Sequence, residues 1–293
     1  MPKVSNAPLL GKTALVTGGS DGIGLQIALL LATTGAEVII VSRNEVKGEA
    51  ATEHVRSATS NPRVSYMQCD LSLIEEIDRF VERFFSTHSS LDILVHSAGV
   101  ILPTRTLTRE GLETIFAVQY IARFHLSNSF IDVLSKSKGV IVSLTASGST
   151  RSALDLHNLY GEKYFSGFTM MSQESVANEV FGTRLVAMHP ELKFYAYQPY
   201  CVKTKFFENM NLSFKIFNSL LGYISAVSPE SVASEVVELI LENYPSGVYT
   251  NNCKVVETSS RWWSDPVLQD NLWILSEHMI DMAKATYSAI IRL

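Results

Sequence analysis

The chain alternates between short apolar runs and longer amphipathic stretches from its beginning to its end. Short runs rich in β-branched residues are typical of buried parallel strands, and the longer stretches are typical of helices that cover a sheet. Repeated strand–helix units with right-handed crossovers predict a doubly wound sheet, whose ligand cleft lies at the carboxyl ends of the strands. The predicted strands are residues 13–17, 37–42, 64–68, 91–95, 140–145, 193–198 and 248–249, and the predicted helices are residues 23–33, 45–59, 73–86, 111–134, 168–189 and 231–243.

No low-complexity linker interrupts this alternation, which predicts one domain over residues 1–293. The fold class is α/β, a single Rossmann-type doubly wound parallel sheet with helices on both faces. The net charge of −5 provides no basic stripe for a nucleic acid. Three widely spaced cysteines without a Cys-x-x-Cys pair disfavour a disulfide framework or a zinc site and fit a reducing compartment. We therefore expect a cytoplasmic protein, and no integral membrane segment, since no apolar stretch reaches spanning length.

A glycine-rich turn at residues 17–24 joins the first predicted strand to the first predicted helix. Gly18 permits a tight turn, Gly22 a close approach of the backbone to a ligand, and Gly24 close packing of the helix on the sheet. The helix N-terminus offers free amides to a pyrophosphate. An ordinary glycine-rich turn is the alternative, but the strand–turn–helix context favours a dinucleotide site. The predicted contacts of this turn are Gly18, Ser20, Gly22, Ile23 and Gly24.

The end of the second predicted strand distinguishes between the two nicotinamide cofactors. An acidic residue there binds the adenosine ribose hydroxyls and repels a 2′-phosphate. This chain has Arg43 at that end and Lys47 shortly after it, which favours NADP(H), although the pair also fits a solvated helix start. Asp70, at the end of the third predicted strand, is placed either to meet the adenine amino group or to cap the following helix.

Several motifs together resemble the short-chain dehydrogenase/reductase superfamily. They are the glycine turn, Asp70-Leu71-Ser72, and the run of residues 91–99 that ends in Ser97-Ala98-Gly99. Residues 43–51, 157–163 and 272–277 resemble, more narrowly, the branch of retinol dehydrogenases and WW-domain oxidoreductases. The resemblance runs from about residue 11 to residue 279 and implies a bound dinucleotide. It implies further cofactor contacts at Leu71, Ser97, Ala98, Gly99, Val202 and Thr204.

The residues that carry out the chemistry of this family are replaced in this chain. The resemblance puts the family's catalytic tyrosine at Met171 and its lysine at Ser175, and Ala177-Asn178 sets the register. It puts the catalytic serine at Ala146 and the asparagine at Gln119. Methionine has no proton to give, and a neutral serine cannot lower a neighbouring pKa. We expect reduction of ordinary ketones and aldehydes by the family's tyrosine mechanism to be absent or very slow.

A replacement acid or base, if the chemistry needs one, is expected in residues 147–164, which border the substrate in the family. The candidates are Ser147, Asp155 and Tyr164. His157 is a further proton-handling residue of this segment, but it has a counterpart in the branch even where tyrosine and lysine act, so a structural role is favoured for it.

These features predict an NADP(H)-dependent oxidoreductase that acts on a hydrophobic small molecule by a non-standard mechanism. A substrate that needs no protonated oxygen, such as an iminium or an activated alkene, suits this site. A redox-silent cyclase or isomerase and a non-catalytic NADP(H)-binding protein remain open as alternatives. Apolar residues concentrated in residues 204–228 predict a substrate lid, with core packing or a homodimer face as the other interpretations.

Overall fold

One eight-stranded sheet runs through the protein. The computed structural model describes residues 7–145, 154–199, 202, 205–207, 227–256 and 265–291. The strands in these ranges are β1 (Thr13–Thr17), β2 (Glu37–Ser42), β3 (Val64–Gln68), β4 (Ile93–His96), β5 (Val140–Leu144), β6 (Lys193–Gln198), β7 (Gly247–Thr250) and β8 (Lys254–Val255). Their order in the sheet is β3-β2-β1-β4-β5-β6-β7-β8, and only β8 runs antiparallel to its neighbour.

Helices cover both faces of this sheet. Within the same ranges they are α1 (Gly22–Thr33), α2 (Glu45–Thr59), α3 (Ile74–Thr87), α4 (Thr114–Phe116), α5 (Ala122–Ser129), α6 (Ile131–Ser137), α7 (Gly167–Met188), α8 (Pro229–Leu241) and α9 (Pro266–Ile291). A π-helical turn, Ala117–Ile121, joins α4 to α5, and a 3-10 turn spans Lys205–Phe207. None of the helices in the described ranges is both long and apolar enough to cross a membrane.

The strand side chains divide the core into two layers. Along β1, Leu15 packs into the layer beneath α3, α5, α7 and α9, whereas Ala14 and Val16 pack into the layer beneath α1, α2 and α8. The same alternation along β2 puts Ile39 and Val38 on opposite faces. Because successive strand side chains point to opposite faces, a strand covered on both sides must be apolar throughout. This accounts for the continuous apolar runs in the sequence.

The sheet order confirms the predicted doubly wound architecture. β1 pairs with β2 on one side and with β4 on the other, so the chain reverses its direction of winding between β1 and β4. A crevice opens at the carboxyl ends of the strands at such a reversal, and this is where open α/β sheets bind ligands.

Two parts of the sequence prediction needed correction. The single helix predicted over residues 111–134 begins later and is divided. Gly111 has φ +85°, outside the helical region, and Glu113 caps α4. Phe130, with φ −101° and ψ 6°, separates α5 from α6. Its ring packs against Phe84 at 4.8 Å between centroids, so a tertiary contact occupies the break.

The second correction concerns the C-terminal part, where β8 and α9 were not predicted. Helix α9 buries Leu272, Met279 and Ala283 at helical spacing. It also exposes Ile274 and Met282, which obscures the amphipathic pattern in the sequence. Strand β8 has two exposed residues, too few for a strand signal.

Candidate functional site

A cleft of about 640 Å³ lies at the carboxyl ends of the strands. Its lining comes from the segments that follow β1 to β6, and its volume is in the usual range for small-molecule and cofactor sites. It brings together most of the residues predicted to bind the cofactor. Those in the lining are Gly18, Ser20, Gly22, Ile23, Arg43, Asp70, Leu71, Ser97, Ala98, Gly99 and Val202.

The glycine turn has the close-packed geometry that the sequence predicts. Gly18 has φ +67°, and a Cβ there would lie 2.7 Å from the Cα of Ala98. Gly24 is outside the cleft lining, and a Cβ on it would lie 2.4 Å from the carbonyl oxygen of Gly18. The turn packs closely between the ends of β1 and β4. Side chains at these two positions would collide with backbone, so both positions require glycine, as expected for a dinucleotide-binding turn.

Asp21 is a cleft residue that sequence reasoning did not single out. It is the N-cap of α1, and its carboxylate accepts a hydrogen bond from the amide of Gly22 at 2.8 Å. This amide is one of the donors that a helix N-terminus offers to a pyrophosphate. A bound phosphate therefore competes with Asp21 for the same donor and is repelled by its charge.

One end of the cleft is formed by the turn after β2. Arg43 lines the cleft, and the side chain of Gln68 donates a hydrogen bond to its carbonyl oxygen at 3.0 Å. Asn44 caps α2 by accepting from the amide of Lys47 at 2.9 Å. Lys47 is outside the lining, so of the two predicted cations only Arg43 borders the cleft.

Asp70 sits in the cleft and does not cap α3. Its Oδ1 accepts from the amide of Ser72 at 3.0 Å and from the Ser72 hydroxyl at 2.7 Å. The first amides of α3 are instead capped by Glu110, which accepts from Ile74 at 2.6 Å and from Glu75 at 3.2 Å. Of the two interpretations given to Asp70 from the sequence, the position in the cleft agrees with contact to the cofactor.

At the opposite end of the cleft, α7 contributes Met171 and Glu174 to the lining. These two residues are three apart, which places them on the same face of the helix. Ser175 is fully buried and lies outside the lining. Its hydroxyl is 2.9 Å from the carbonyl oxygen of Met171 and 3.2 Å from a carboxyl oxygen of Glu174. At the position that the resemblance assigns to the lysine, the Ser175 side chain therefore contacts its own helix and does not line the cleft.

The π-helical turn contributes Gln119 to the same end of the cleft. Its side-chain oxygen accepts from the amide of Val100 at 2.8 Å. Its backbone carbonyl accepts from the side chain of Asn178 at 2.8 Å. Single π turns inside α-helices are frequent at functional sites. Among the described residues, the buried side-chain nitrogen of Gln119 has no hydrogen-bond partner.

Arg123 follows Gln119 by one helical turn and is a buried cation in the lining. One terminal nitrogen donates to the hydroxyl of Ser143 at 2.9 Å and to the carbonyl of Leu144 at 2.7 Å. The other donates to the carbonyl of Ala98 at 3.1 Å. Arg123 therefore connects the carboxyl ends of β4 and β5. Burial lowers the pKa of Arg123, and the carboxylate of Glu174 opposes that effect.

Glu174 is the buried acid of this cluster, and sequence reasoning missed it. Its carboxyl oxygen Oε2 lies 3.0 Å from the side-chain nitrogen of Asn178 and 3.9 Å from Nη1 of Arg123. Burial raises the pKa of Glu174 to about 7, although Arg123, Ser175 and Asn178 favour the ionised form. A cleft carboxyl that titrates near neutral pH is a candidate functional group. The sequence signal for it was an acidic residue three positions after the family's tyrosine position.

The predicted acids Asp155 and Tyr164 lie elsewhere. The Tyr164 hydroxyl donates to Oδ2 of Asp155 at 2.9 Å, and Tyr164 is 49% exposed. This hydrogen bond lowers the pKa of Asp155 and raises that of Tyr164. Neither residue lines the cleft, so the structure separates this pair from the cofactor contacts. Their catalytic role stays a prediction, and Ser147, Ala146 and Thr204 lie outside the described residues.

The described ends of the predicted lid approach the cleft. Phe206 and Phe207 line it, and the ring of Phe207 stacks on Phe168 at 6.4 Å between centroids. Val202 and Val227 form a parallel bridge, so the chain enters and leaves the intervening segment at adjacent positions. Residues 208–226 of the predicted lid lie outside the described ranges.

Comparison with known proteins gives a consistent result. The family model described as short chain dehydrogenase matches residues 12–211. Retinol dehydrogenase 12 of Mus musculus is 30% identical over 262 residues, covering 88% of this chain and 83% of the relative. The WW domain-containing oxidoreductase of Drosophila melanogaster is 30% identical over 292 residues, covering 93% of this chain and 69% of the relative.

Solved structures show the same fold. A short-chain dehydrogenase from Sphingobium yanoikuyae in complex with NADPH matches with a TM-score of 0.65 at 18% identity, covering 81% of this chain and 87% of that chain. An alcohol dehydrogenase from the archaeon Thermococcus sibiricus, complexed with 5-hydroxy-NADP, matches with a TM-score of 0.64 at 19% identity. The second match covers 85% of this chain and 98% of that chain.

Proposed function

The chain belongs to the short-chain dehydrogenase family, and on that premise we propose that it is an NADP(H)-dependent oxidoreductase that acts on a hydrophobic small molecule by a non-standard mechanism. Family membership confirms the resemblance drawn from the sequence motifs. The observation that carries the proposal is one continuous cleft, whose lining extends from Arg43 past the glycine turn to Met171.

In this proposal the cofactor lies along the carboxyl ends of the strands. The amides at the start of α1 bind the pyrophosphate, Arg43 binds the 2′-phosphate, and Asp70 meets the adenine. The turn after β4 would border the cofactor, and Val202 would contact its carboxamide, a role that the resemblance also assigns to Thr204. Bound NADPH supplies a hydride to an acceptor carbon, while the protein binds, orients and shields the reactants.

The apolar lining of the cleft supports a lipophilic substrate. Val100, Val118 and Leu144 line the cleft beside Phe206 and Phe207. Apolar and aromatic side chains with few polar groups are typical of sites for hydrophobic small molecules. The mouse relative is named for retinol, and we extend that substrate class, an apolar alcohol or its aldehyde, to this chain as part of the proposal.

Titration calorimetry with NADPH and NADH tests the cofactor assignment. NADPH should bind more tightly than NADH. Arg43→Ala should weaken the binding of NADPH by about 10- to 100-fold, the effect of losing a charge-assisted hydrogen bond, and should change the binding of NADH little. The control is Lys136→Ala, because Lys136 is exposed on α6, which ends beside the amino end of β5. Equal affinities for the two cofactors, or an unchanged ratio in Arg43→Ala, would contradict the preference.

Cofactor consumption tests the reaction class. Oxidation of NADPH by an apolar aldehyde or iminium supports the oxidoreductase. Product formed without cofactor turnover supports a cyclase or isomerase, and cofactor binding without any product supports a non-catalytic protein. The single domain over residues 1–293, the lid over residues 204–228, the homodimer and the cytoplasmic location stay predictions.

A further inference from the structure

We propose that Glu174 exchanges a proton with the substrate in this cleft, and that Arg123 is the cation that stabilises its carboxylate. The inference rests on the proposed function, because it concerns the reaction at the same site. It assigns to these two residues the roles left vacant at Met171 and Ser175. Four features of the cluster support it.

The first feature is position. Met171 and Glu174 lie on the same face of α7, and both line the cleft. The resemblance assigns Met171 to the proton-donating tyrosine, so Glu174 is the nearest ionisable side chain of α7 on that face. The polar lining residues Gln119 and Arg123 face the same end of the cleft from the π-helical turn and α5.

The second feature is the cation. Both hydrogens of Arg123 Nη1 are directed at Ser143 and Leu144, so the 3.9 Å contact with Glu174 acts through space and not through a hydrogen bond. The side chains are 5% and 2% exposed, so water screens this attraction little. Arg123 therefore stabilises negative charge on Glu174 without transferring a proton itself.

The third feature is that the hydrogen bonds to the Glu174 carboxyl are shared. The side-chain nitrogen of Asn178 has two hydrogens and three acceptors within reach: Oε2 of Glu174 and the carbonyls of Glu174 and Gln119. The Ser175 hydroxyl has one hydrogen and two acceptors, Oε1 of Glu174 and the Met171 carbonyl. These donors can turn to the carboxylate when it is charged and to backbone when it is neutral, so both protonation states are accommodated.

The fourth feature is chemical. Burial raises the pKa of Glu174 to about 7, where a carboxyl can both give and take a proton. In the reductive direction, a hydride from NADPH adds to the carbonyl carbon, and the electron pair of the C=O bond moves to oxygen. The proton of Glu174 passes to that oxygen, leaving an alcohol, NADP⁺ and a carboxylate beside Arg123. Solvent then returns a proton to Glu174.

Glu179 provides a matched control on the same helix. It is also buried, and burial raises the pKa of Glu179 to about 8. Its carboxyl accepts from the side chain of Gln198 at 2.5 Å, and it does not line the cleft. A role that needed only a buried carboxyl with a raised pKa would be shared by Glu179, whereas a role in the reaction belongs to Glu174 alone.

Infrared difference titration reads the proton on Glu174 without any substrate. The wild-type protein should lose a protonated-carboxyl band with a midpoint near pH 7. Glu174→Gln should abolish that band, whereas Glu179→Gln should leave it in place and remove the separate carboxyl band that titrates near pH 8. A band near pH 7 that is removed by Glu179→Gln and unaffected by Glu174→Gln would overturn the assignment whether or not NADPH binds.

Turnover with two probes tests the reaction itself. Retinal needs a proton on its oxygen when it accepts a hydride, whereas an N-methylated cyclic iminium accepts a hydride and needs no proton. Glu174→Gln should lower kcat for retinal by about 10²- to 10⁴-fold, the usual effect of losing a positioned acid. It should leave kcat for the iminium and the Kd for NADPH nearly unchanged, and Glu179→Gln should change none of the three.

The outcomes separate this inference from the proposed function. Equal losses on both probes, or a wild-type protein that binds NADPH but does not reduce retinal, would overturn the role of Glu174. A wild-type protein that does not bind NADPH would overturn the proposed function instead. If Glu174→Gln does not fold, the wild-type pH profile decides: retinal turnover that falls above pH about 7 while iminium turnover does not supports the role, and parallel profiles refute it.

Discussion

Replacing Glu174 with glutamine should change how the stability of the protein depends on pH. The pKa of this carboxyl is 4.5 in an unperturbed chain and about 7 in the fold, because burial disfavours its charge. The folded state therefore holds the proton more tightly than the unfolded state. The sign follows from linkage: the contribution of Glu174 to the free energy of unfolding is highest below pH 4.5 and falls as the pH rises towards 7.

The size of the effect follows from the same two values. At about 1.4 kcal/mol per pH unit, a rise from 4.5 to about 7 corresponds to about 3 kcal/mol lost by pH 8. Glutamine has nearly the same shape and remains neutral, so Glu174→Gln should not show this loss. Glu179 contributes a loss of the same sign up to about pH 8, and it remains in the Glu174→Gln variant.

Urea unfolding of both proteins at several values between pH 4.5 and 8 measures this effect. The quantity to plot is the difference in unfolding free energy between Glu174→Gln and the wild type. Glu179 is present in both proteins, and its contribution differs only through the charge of Glu174, which raises the pKa of Glu179 in the wild type. We expect this difference to move by about 3 kcal/mol in favour of the variant as the pH rises. Glu49→Gln, an exposed change on α2, is the control for a glutamate-to-glutamine substitution at the surface.

A difference that stays constant from pH 4.5 to 8 would refute the reasoning. It would mean that Glu174 is ionised throughout, because the attraction of Arg123 at 3.9 Å outweighs the cost of burial. In that case Arg123 and Glu174 would form a permanent buried ion pair, and Glu174 would have no proton to give at neutral pH.

Two further predictions concern the helix starts. Gly48→Ala places a Cβ 2.0 Å from the ring of Tyr66, so urea unfolding should show a loss of about 1–3 kcal/mol, and no loss would mean that α2 moves freely on the sheet. Asp21→Asn keeps the cap on Gly22 but removes its charge, so calorimetry should show NADPH binding about 2- to 5-fold tighter. Weaker binding would show that Asp21 helps to hold the cofactor.

The sequence by itself determined most of the sheet and the turn at its centre. The strands at residues 13–17 and 37–42 have the predicted bounds, because strands buried on both faces are apolar at nearly every position. The edge strand at residues 64–68 also has the predicted bounds, although most of its side chains are only half-buried. The role of Gly18 could also be predicted from the sequence, because a positive φ and a close approach of backbone exclude other side chains at this position. These features depend on local sterics and burial, which directly restrict the residue types that can occupy each position.

Helix boundaries were predicted less accurately than strand boundaries where tertiary contacts decide them. The break at Phe130 is occupied by packing against Phe84, and the cap of α3 comes from Glu110, which is 36 residues from the amide it accepts from. A local pattern contains no information about a partner so distant. The sequence therefore indicated that a helix exists, and the tertiary structure decided where it begins and ends.

The tertiary structure decided which titratable groups lie in the cleft. Asp155 and Tyr164, candidates by residue type, bond to each other outside the cleft lining, and their catalytic role stays a prediction. Glu174 corresponds to none of the family's catalytic positions, which fall on Met171 and Ser175 of the same helix, so the resemblance gives no signal for it. Burial raises its pKa, and Arg123, which comes from another helix, opposes that rise. Residue type shows which groups can titrate, whereas desolvation and distance, set only when the chain folds, decide which of them do so near neutral pH.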